Sequence, residues 1–117
     1  MDFFSGLHVA YLAVATKFVI DSDTLVIKNV LFPTTIKKEN IEVRRIIPYE
    51  KLRLTGVFRM AGPFGSAGMY FNNELGSVIL FSRKSSGDTV YMRTSEGKGY
   101  ILTPYDPIGF LSELNEE

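Results

Sequence analysis

The side chains able to do chemistry are few, and they do not assemble into a known catalytic pattern. His8 is the single histidine of this 117-residue chain. Ser5 lies three residues before it, but no G-x-S-x-G elbow marks that serine as a nucleophile, so His8 reads as part of an early strand or its lead-in. Asp21-Ser22-Asp23 has the acidic opening of a calcium loop, which then needs glycine at its sixth position and glutamate at its twelfth. Those positions are Val26 and Phe32, so a hairpin turn is the better reading. Gly62-Pro63-Phe64-Gly65 and Gly97-Lys98-Gly99 invite comparison with phosphate loops. A phosphate loop carries GxxxxGK followed by Ser or Thr and opens into a helix. The first has no lysine, and the second runs into a strand-like segment. No base, nucleophile and orienting group come together, and the expectation is a protein that is not an enzyme.

Composition narrows the partners. Thirteen basic and thirteen acidic residues cancel, whereas a nucleic-acid binder normally carries a basic surplus for phosphates. The basic pairs Lys37-Lys38, Arg44-Arg45 and Arg83-Lys84 read as solvated faces, each with acids nearby, such as Glu39 and Glu42. A shallow contact with anionic lipid stays open for them. The absence of cysteine excludes disulfides, thiolate catalysis and cysteine-ligated zinc. No cofactor or metal is expected.

One stretch invites a binding role. Arg59 to Gly76, RMAGPFGSAGMYFNNELG, concentrates glycines and aromatics. Glycine at that density marks unusual backbone or close approach, and the stretch reads as a wide connection between strands. Phe64, Tyr70 and Phe71 either pack inward or meet a partner. Tyr70 and Phe71 are adjacent, so in an extended segment they point to opposite faces and one is available for contact. Arg59, Phe64, Tyr70 and Phe71 are the candidate binding residues.

The elements that must position these residues are mostly strands. Thr16–Asp21 and Leu25–Asn29 alternate polar and apolar residues around the Asp21–Asp23 turn, the pattern of a hairpin. Thr34–Lys37 is a third short strand, Lys38-Glu39-Asn40 a turn that places Ile41, and Val43–Ile47 a fourth strand ended by Pro48. Arg44 and Arg45 point to opposite faces of it. A strand over Leu54–Met60 is weaker, because Gly56 interrupts its period. Ser77–Ser82 and Thr89–Thr94 flank turn chemistry at Ser85-Ser86-Gly87, and Gly99–Thr103 follows the tight turn Ser95–Gly99. The period then changes. Asp106 is placed to cap a helix with Pro107 at its first position, and Ile108, Leu111 and Leu114, with Phe110, form an apolar stripe.

About seven strands in hairpin order and one helix make a mainly β fold. The arrangement expected is a bent, nearly closed antiparallel barrel with the C-terminal helix over one open end. The lead-in, residues 1–15, precedes the domain at 16–117. Phe3–Thr16 is apolar and carries no formal charge with His8 neutral. It is short of the roughly 18 to 20 residues of a spanning helix, and Asp2 is unlike the basic start of a signal peptide. It reads as an apolar lead-in to the first strand, as the end of a membrane helix, or as an interfacial helix.

TKFVIDSDTLVIK, the isolated Ile41, Arg59 with Gly62, Gly65, Gly68 and Gly76, and finally Tyr100, Thr103-Pro104 and Asp106-Pro107 with Phe110 occur in an order that resembles a bacterial pleckstrin-homology-like (PH-like) domain. The resemblance spans roughly residues 16 to 115. It implies a PH-like barrel and a non-enzymatic role; the function expected is a binding or assembly module working through protein contacts or self-association at an exposed strand edge. It also implies a bacterial protein, membrane-associated or cytoplasmic, with membrane proximity through the N-terminal segment. A small-ligand or lipid carrier using the open barrel end is the alternative. Eukaryotic PH domains bind phosphoinositides with basic residues around the first hairpin loop. Here that loop is Asp21-Ser22-Asp23, so specific phosphoinositide binding is not expected.

Overall fold

A computed structural model describes residues 17–29, 33–62, 65–82 and 87–115, with the side chains of 59–62, 65 and 66 outside the description. His8, Ser5, Phe64 and the lead-in also fall outside it. The strands are β1 (Lys17–Ile20), β2 (Thr24–Lys28), β3 (Thr34–Lys37), β4 (Ile41–Pro48), β5 (Thr55–Gly62), β6 (Gly65–Asn72), β7 (Gly76–Ser82), β8 (Asp88–Thr94) and β9 (Gly99–Leu102), followed by helix α1 (Pro107–Asn115). β1–β2–β3 form one antiparallel sheet, and β4–β8–β9–β7–β6–β5 form a second of six strands.

The mainly β fold with a C-terminal helix is as expected, but the barrel is not. Nine strands are described rather than about seven, and among the described residues no ladder joins the two sheets. Nor is the order that of successive hairpins. β9 enters between β7 and β8, parallel to β7 and antiparallel to β8. Its sequence explains the central place. Gly99, Tyr100, Ile101 and Leu102 are all buried, and a strand without a polar face belongs inside a sheet covered on both sides.

Register shows how both faces are filled. On one face, Ala67, Phe81, Leu102 and Val90 stand in a row across β6, β7, β9 and β8. They pack with Leu25, Ile27 and Ile36 of the small sheet and with Phe110 and Leu114 of α1. On the other face, Tyr70, Val78, Leu80, Ile101 and Tyr91 pack beneath Leu52. The segment carrying Leu52 begins with a 3-10 turn at Tyr49–Lys51. A register shift between Ile41 and Val43 serves both layers. Residues two apart on a regular strand share a face. The extra residue, Glu42, instead sends Ile41 to the first core and Val43 to the second.

Several turns follow their sequence signals. The Asp21–Asp23 turn closes with Asp21 N donating to Thr24 O at 2.8 Å. Gly97 sits at φ +86°, open to glycine and unfavourable to other residues. Lys38–Asn40 is a 3-10 turn that delivers Ile41 to the core, 7% exposed. Asp106 caps α1, its Oδ1 accepting from Gly109 N at 3.0 Å. The buried face of α1 is shifted from the expected stripe. Phe110 and Leu114 are buried and Leu111 is half-buried, whereas Ile108 is 73% exposed. The helix meets its neighbours one turn beyond its start, where Phe110 stacks edge-on against Phe18 at 5.7 Å.

The opposed orientation of Arg44 and Arg45 has a structural use. Arg44 reaches the last turn of α1, donating from Nη1 to Leu114 O at 3.3 Å and to Asn115 Oδ1, and from Nη2 to Lys38 O at 3.0 Å. Lys38 Nζ donates to Glu113 O at 3.3 Å. Cations there satisfy carbonyls the helix leaves unpaired and complement its dipole. Arg44→Ala is expected to lower unfolding stability by about 1–3 kcal/mol in urea titrations. Arg45→Ala, at an exposed residue on the other face, should change it by less than about 0.5 kcal/mol.

Candidate functional site

The glycine-rich stretch is a hairpin and not a wide connection. Gly62 pairs with Gly65, Met60 with Ala67, Arg59 with Gly68 and Phe58 with Met69. β6 is then held on its other side by β7, through Gly68–Leu80 and Tyr70–Val78 among others. Glycine weakens a strand by conformational freedom and a missing side chain. A strand with ladders on both sides overrides that weakness, and only Pro63-Phe64 separates β5 from β6.

Of the four candidate residues, Phe64 and the Arg59 side chain lie outside the described residues, and Tyr70 and Phe71 are not brought to one face. Tyr70 is 9% exposed and belongs to the core beneath Leu52. As a residue available for contact it is therefore corrected: Gly56 and Val78 flank it in register, and their face is covered by the Tyr49–Leu54 segment. Phe71 faces the other way and is 44% exposed. Arg59 stands opposite Gly68 on β5.

A surface that was not singled out from sequence surrounds Phe71. Met69 is two residues away on the same face of β6, and Phe58 is its cross-strand partner on β5. All three are large apolar residues left substantially exposed. Cross-strand partners have Cβ atoms roughly 4.5–5.5 Å apart, so Phe58 and Met69 form one patch that Phe71 extends along β6. Leu102 and Val90, on that same face, are fully buried against the small sheet and helix. The patch is thus the overhang of the large sheet beyond its cover. The missed signal was Met69, which makes M-x-F an alternation on β6.

Beside the patch runs the outer edge of β5, the last strand of the large sheet. A register shift between Gly56 and Phe58 leaves Val57 as a bulge, and pairing to β6 is regular from Phe58 to Gly62. The other sheet edges are managed. β1 and β3 have only four residues each. β4 carries Glu42, Arg44 and Arg45 and ends in Pro48. Short strands, charges and proline discourage pairing with a further strand. β5 has one formal charge, Arg59, in eight residues and no proline.

A second feature lies on the opposite face. Arg45, Glu50, Lys51, Arg53, Asn72 and Glu74 line a cleft of about 550 Å³. Asn72 fastens it, with Nδ2 donating to Leu52 O and Oδ1 accepting from Glu74 N at 2.7 Å and Leu75 N at 2.9 Å. These bonds tie the β6–β7 turn to the segment covering the core. Arg53 beside it has φ +46°, which costs a non-glycine residue roughly 1–2 kcal/mol. Among the described residues, no group of three or more His, Cys, Asp or Glu is placed to hold a metal ion.

Two phenols titrate abnormally. Burial raises the Tyr49 pKa above its ordinary 10.0, with a smaller push from Tyr70. Burial likewise raises that of Tyr100, with Glu96 adding to it. A raised folded-state pKa contributes stability that is fully present below the unfolded value and lost as pH rises through the folded one. The melting temperature is therefore expected to fall above about pH 10, with tyrosinate absorbance rising in step. Tyr49→Phe with Tyr100→Phe should flatten the fall.

The order of elements, two β layers followed by a capped helix, agrees with the match of the chain to the family model described as Bacterial PH domain, over residues 16–117. The chain belongs to the bacterial PH domain family. Membership supports a binding-module role, and PH-like domains are generally non-catalytic. No curated protein and no solved structure matches this bacterial PH domain. Its first hairpin turn, Asp21-Ser22-Asp23, is exposed and acidic. The nearby cleft of about 760 Å³ mixes Lys37, Lys38 and Arg44 with Asp23 and Glu39, and Arg44 and Lys38 are engaged with α1.

Proposed function

We propose that this bacterial PH domain is a non-catalytic assembly module whose β5 edge accepts an added strand, and that the strand is β5 of a second copy. The observation carrying the reading is the overhang of Phe58, Met69 and Phe71 beside β5, an eight-residue edge strand with a single formal charge and no proline. Added strands gain main-chain hydrogen bonds, and side-chain anchors give specificity. Antiparallel pairing of β5 with its own twofold mate brings the same patch from both copies together, as an isologous dimer requires. A formal net charge of zero leaves no overall repulsion between copies.

The carrier alternative depended on an open barrel end. With the two sheets unjoined among the described residues, support for that reading is lost. The two clefts beside the turns mix charged side chains with a few apolar ones such as Ile47, Leu52, Leu75 and Leu114, whereas a site for an apolar guest is predominantly apolar.

Sedimentation equilibrium over a wide concentration range tests the reading. The full chain is expected to move from monomer to dimer. Phe58→Lys, which puts a charge into the apolar patch each copy would bury, should weaken dimerisation at least about tenfold. A chain that stays monomeric at the highest concentration contradicts self-pairing.

A further inference from the structure

The cleft of about 550 Å³ beside Leu52 holds opposite charges that do not pair with one another. β4 brings Arg45 to it, the turn at Tyr49–Lys51 brings Glu50 and Lys51, Arg53 follows two residues on, and the β6–β7 turn brings Glu74. None of these five side chains makes a hydrogen bond or ion pair among the described residues. Two features mark the cleft as built. Asn72 ties its walls together, with Nδ2 donating to Leu52 O and Oδ1 accepting from Glu74 N and Leu75 N. Arg53 is the one non-glycine among the described residues at positive φ, +46°. Glycine takes that conformation freely, whereas an arginine there is strained, and such strain collects at functional sites. The Arg53 guanidinium has no partner among the described residues, so nothing in the described fold accounts for a long cationic side chain at that position.

We propose that this cleft binds a small zwitterion, a ligand with a free carboxylate, a free ammonium and an apolar side chain, as in an apolar α-amino acid or a short peptide of such residues. The lining decides the class. An anion alone would be repelled by Glu50 and Glu74, and a cation alone by Arg45, Lys51 and Arg53. A ligand carrying both charges meets each with its opposite. Arg45 and Arg53 offer planar forks that match a carboxylate, and Lys51 adds a point charge. Glu50 and Glu74 accept from the ammonium in charge-assisted hydrogen bonds. Ile47, Leu52 and Leu75 line the same cleft and take the apolar side chain. Leu52 and Arg53 are consecutive, so the apolar and charged parts of the ligand are held by neighbouring residues of one strained segment. The size also fits, because small-molecule sites occupy roughly 300–1,000 Å³.

Amide chemical-shift titration of the full chain with leucine and with the dipeptide leucyl-leucine tests the proposal. At least one of them binds with a Kd of about 1 mM or tighter, with shifts centred on Arg45, residues 49–53 and residues 73–75. The tighter of the two identifies a free amino acid or a peptide as the source. The same ligand without its ammonium, or with its carboxylate amidated, binds at least about tenfold more weakly. Arg53→Gly weakens binding by at least about tenfold, while its melting temperature equals or exceeds that of the wild type, because glycine suits the backbone there. Glu50→Gln with Glu74→Gln narrows the gap between the zwitterion and the ligand lacking the ammonium. Absence of binding by both zwitterions, shifts centred elsewhere, equal affinity for a ligand lacking one charge, or wild-type binding by Arg53→Gly overturns the proposal. A lower melting temperature for Arg53→Gly overturns it in favour of a structural role for that side chain.

Discussion

Phe81→Ala should remove about 3–5 kcal/mol of stability, the usual cost of truncating a buried phenylalanine. Phe81 is 0% exposed and stands between Ala67 and Leu102 in the row facing the small sheet and α1. It thus belongs to the layer joining two sheets that share no ladder among the described residues. Domains of this size hold only about 5–15 kcal/mol in total, so the variant should retain a fraction of its margin and melt at least about 10 °C lower. Ile46 provides the control. It is the partner of Val90 on β4, at the far end of the same row, and is 36% exposed. Ile46→Ala should cost less than about 1 kcal/mol. Urea and thermal unfolding of the two variants read the difference, and equal losses would contradict the two-layer packing.

Tyr70→Ser and Phe71→Ser should separate stability from association at neighbouring positions. Tyr70 is buried between Gly56 and Val78 in the core beneath Leu52. Its loss should cost about 3 kcal/mol or more, by the same truncation argument. Phe71 is 44% exposed on the opposite face. Its replacement should leave stability within about 1 kcal/mol and weaken dimerisation about tenfold or more, since central exposed aromatics carry a large share of interface energy. Unfolding curves give the first quantity and sedimentation equilibrium the second. A destabilised Phe71→Ser protein, or one that dimerises normally, would contradict the assignment of faces or the role of the patch.

Much of the element structure was legible because local rules and tertiary context agreed. Thr34–Lys37 occurs with the expected bounds, and Asp106-Pro107 opens α1 as its cap and first residue. The bulge at Glu42 was not legible, since it exists to satisfy two cores at once. Nor was the parallel neighbour of β9. The turn signals at Ser85-Ser86-Gly87 promised a hairpin, whereas strand order depends on which strand can be buried on both faces, and GYIL is that strand. The Arg59–Gly76 stretch was read as a connection because glycine argues against a strand. Pairing on both sides of β6 outweighed that preference. Part of the candidate site followed from alternation alone: Tyr70 and Phe71 do face opposite ways. Which of them faces outward depended on the cover supplied by Tyr49–Leu54, distant in sequence. Met69 and Phe58 joined Phe71 only through register.

Amide hydrogen exchange along Phe58–Gly62, followed as the full chain is concentrated, tests strand addition at β5 most directly. Amides on the outer side of β5 should exchange rapidly in the dilute protein and become protected as dimer forms. Those of Val43–Ile47 on the opposite edge strand, β4, should not change. Association that leaves the β5 amides unprotected, or protects β4 in their place, would contradict the account.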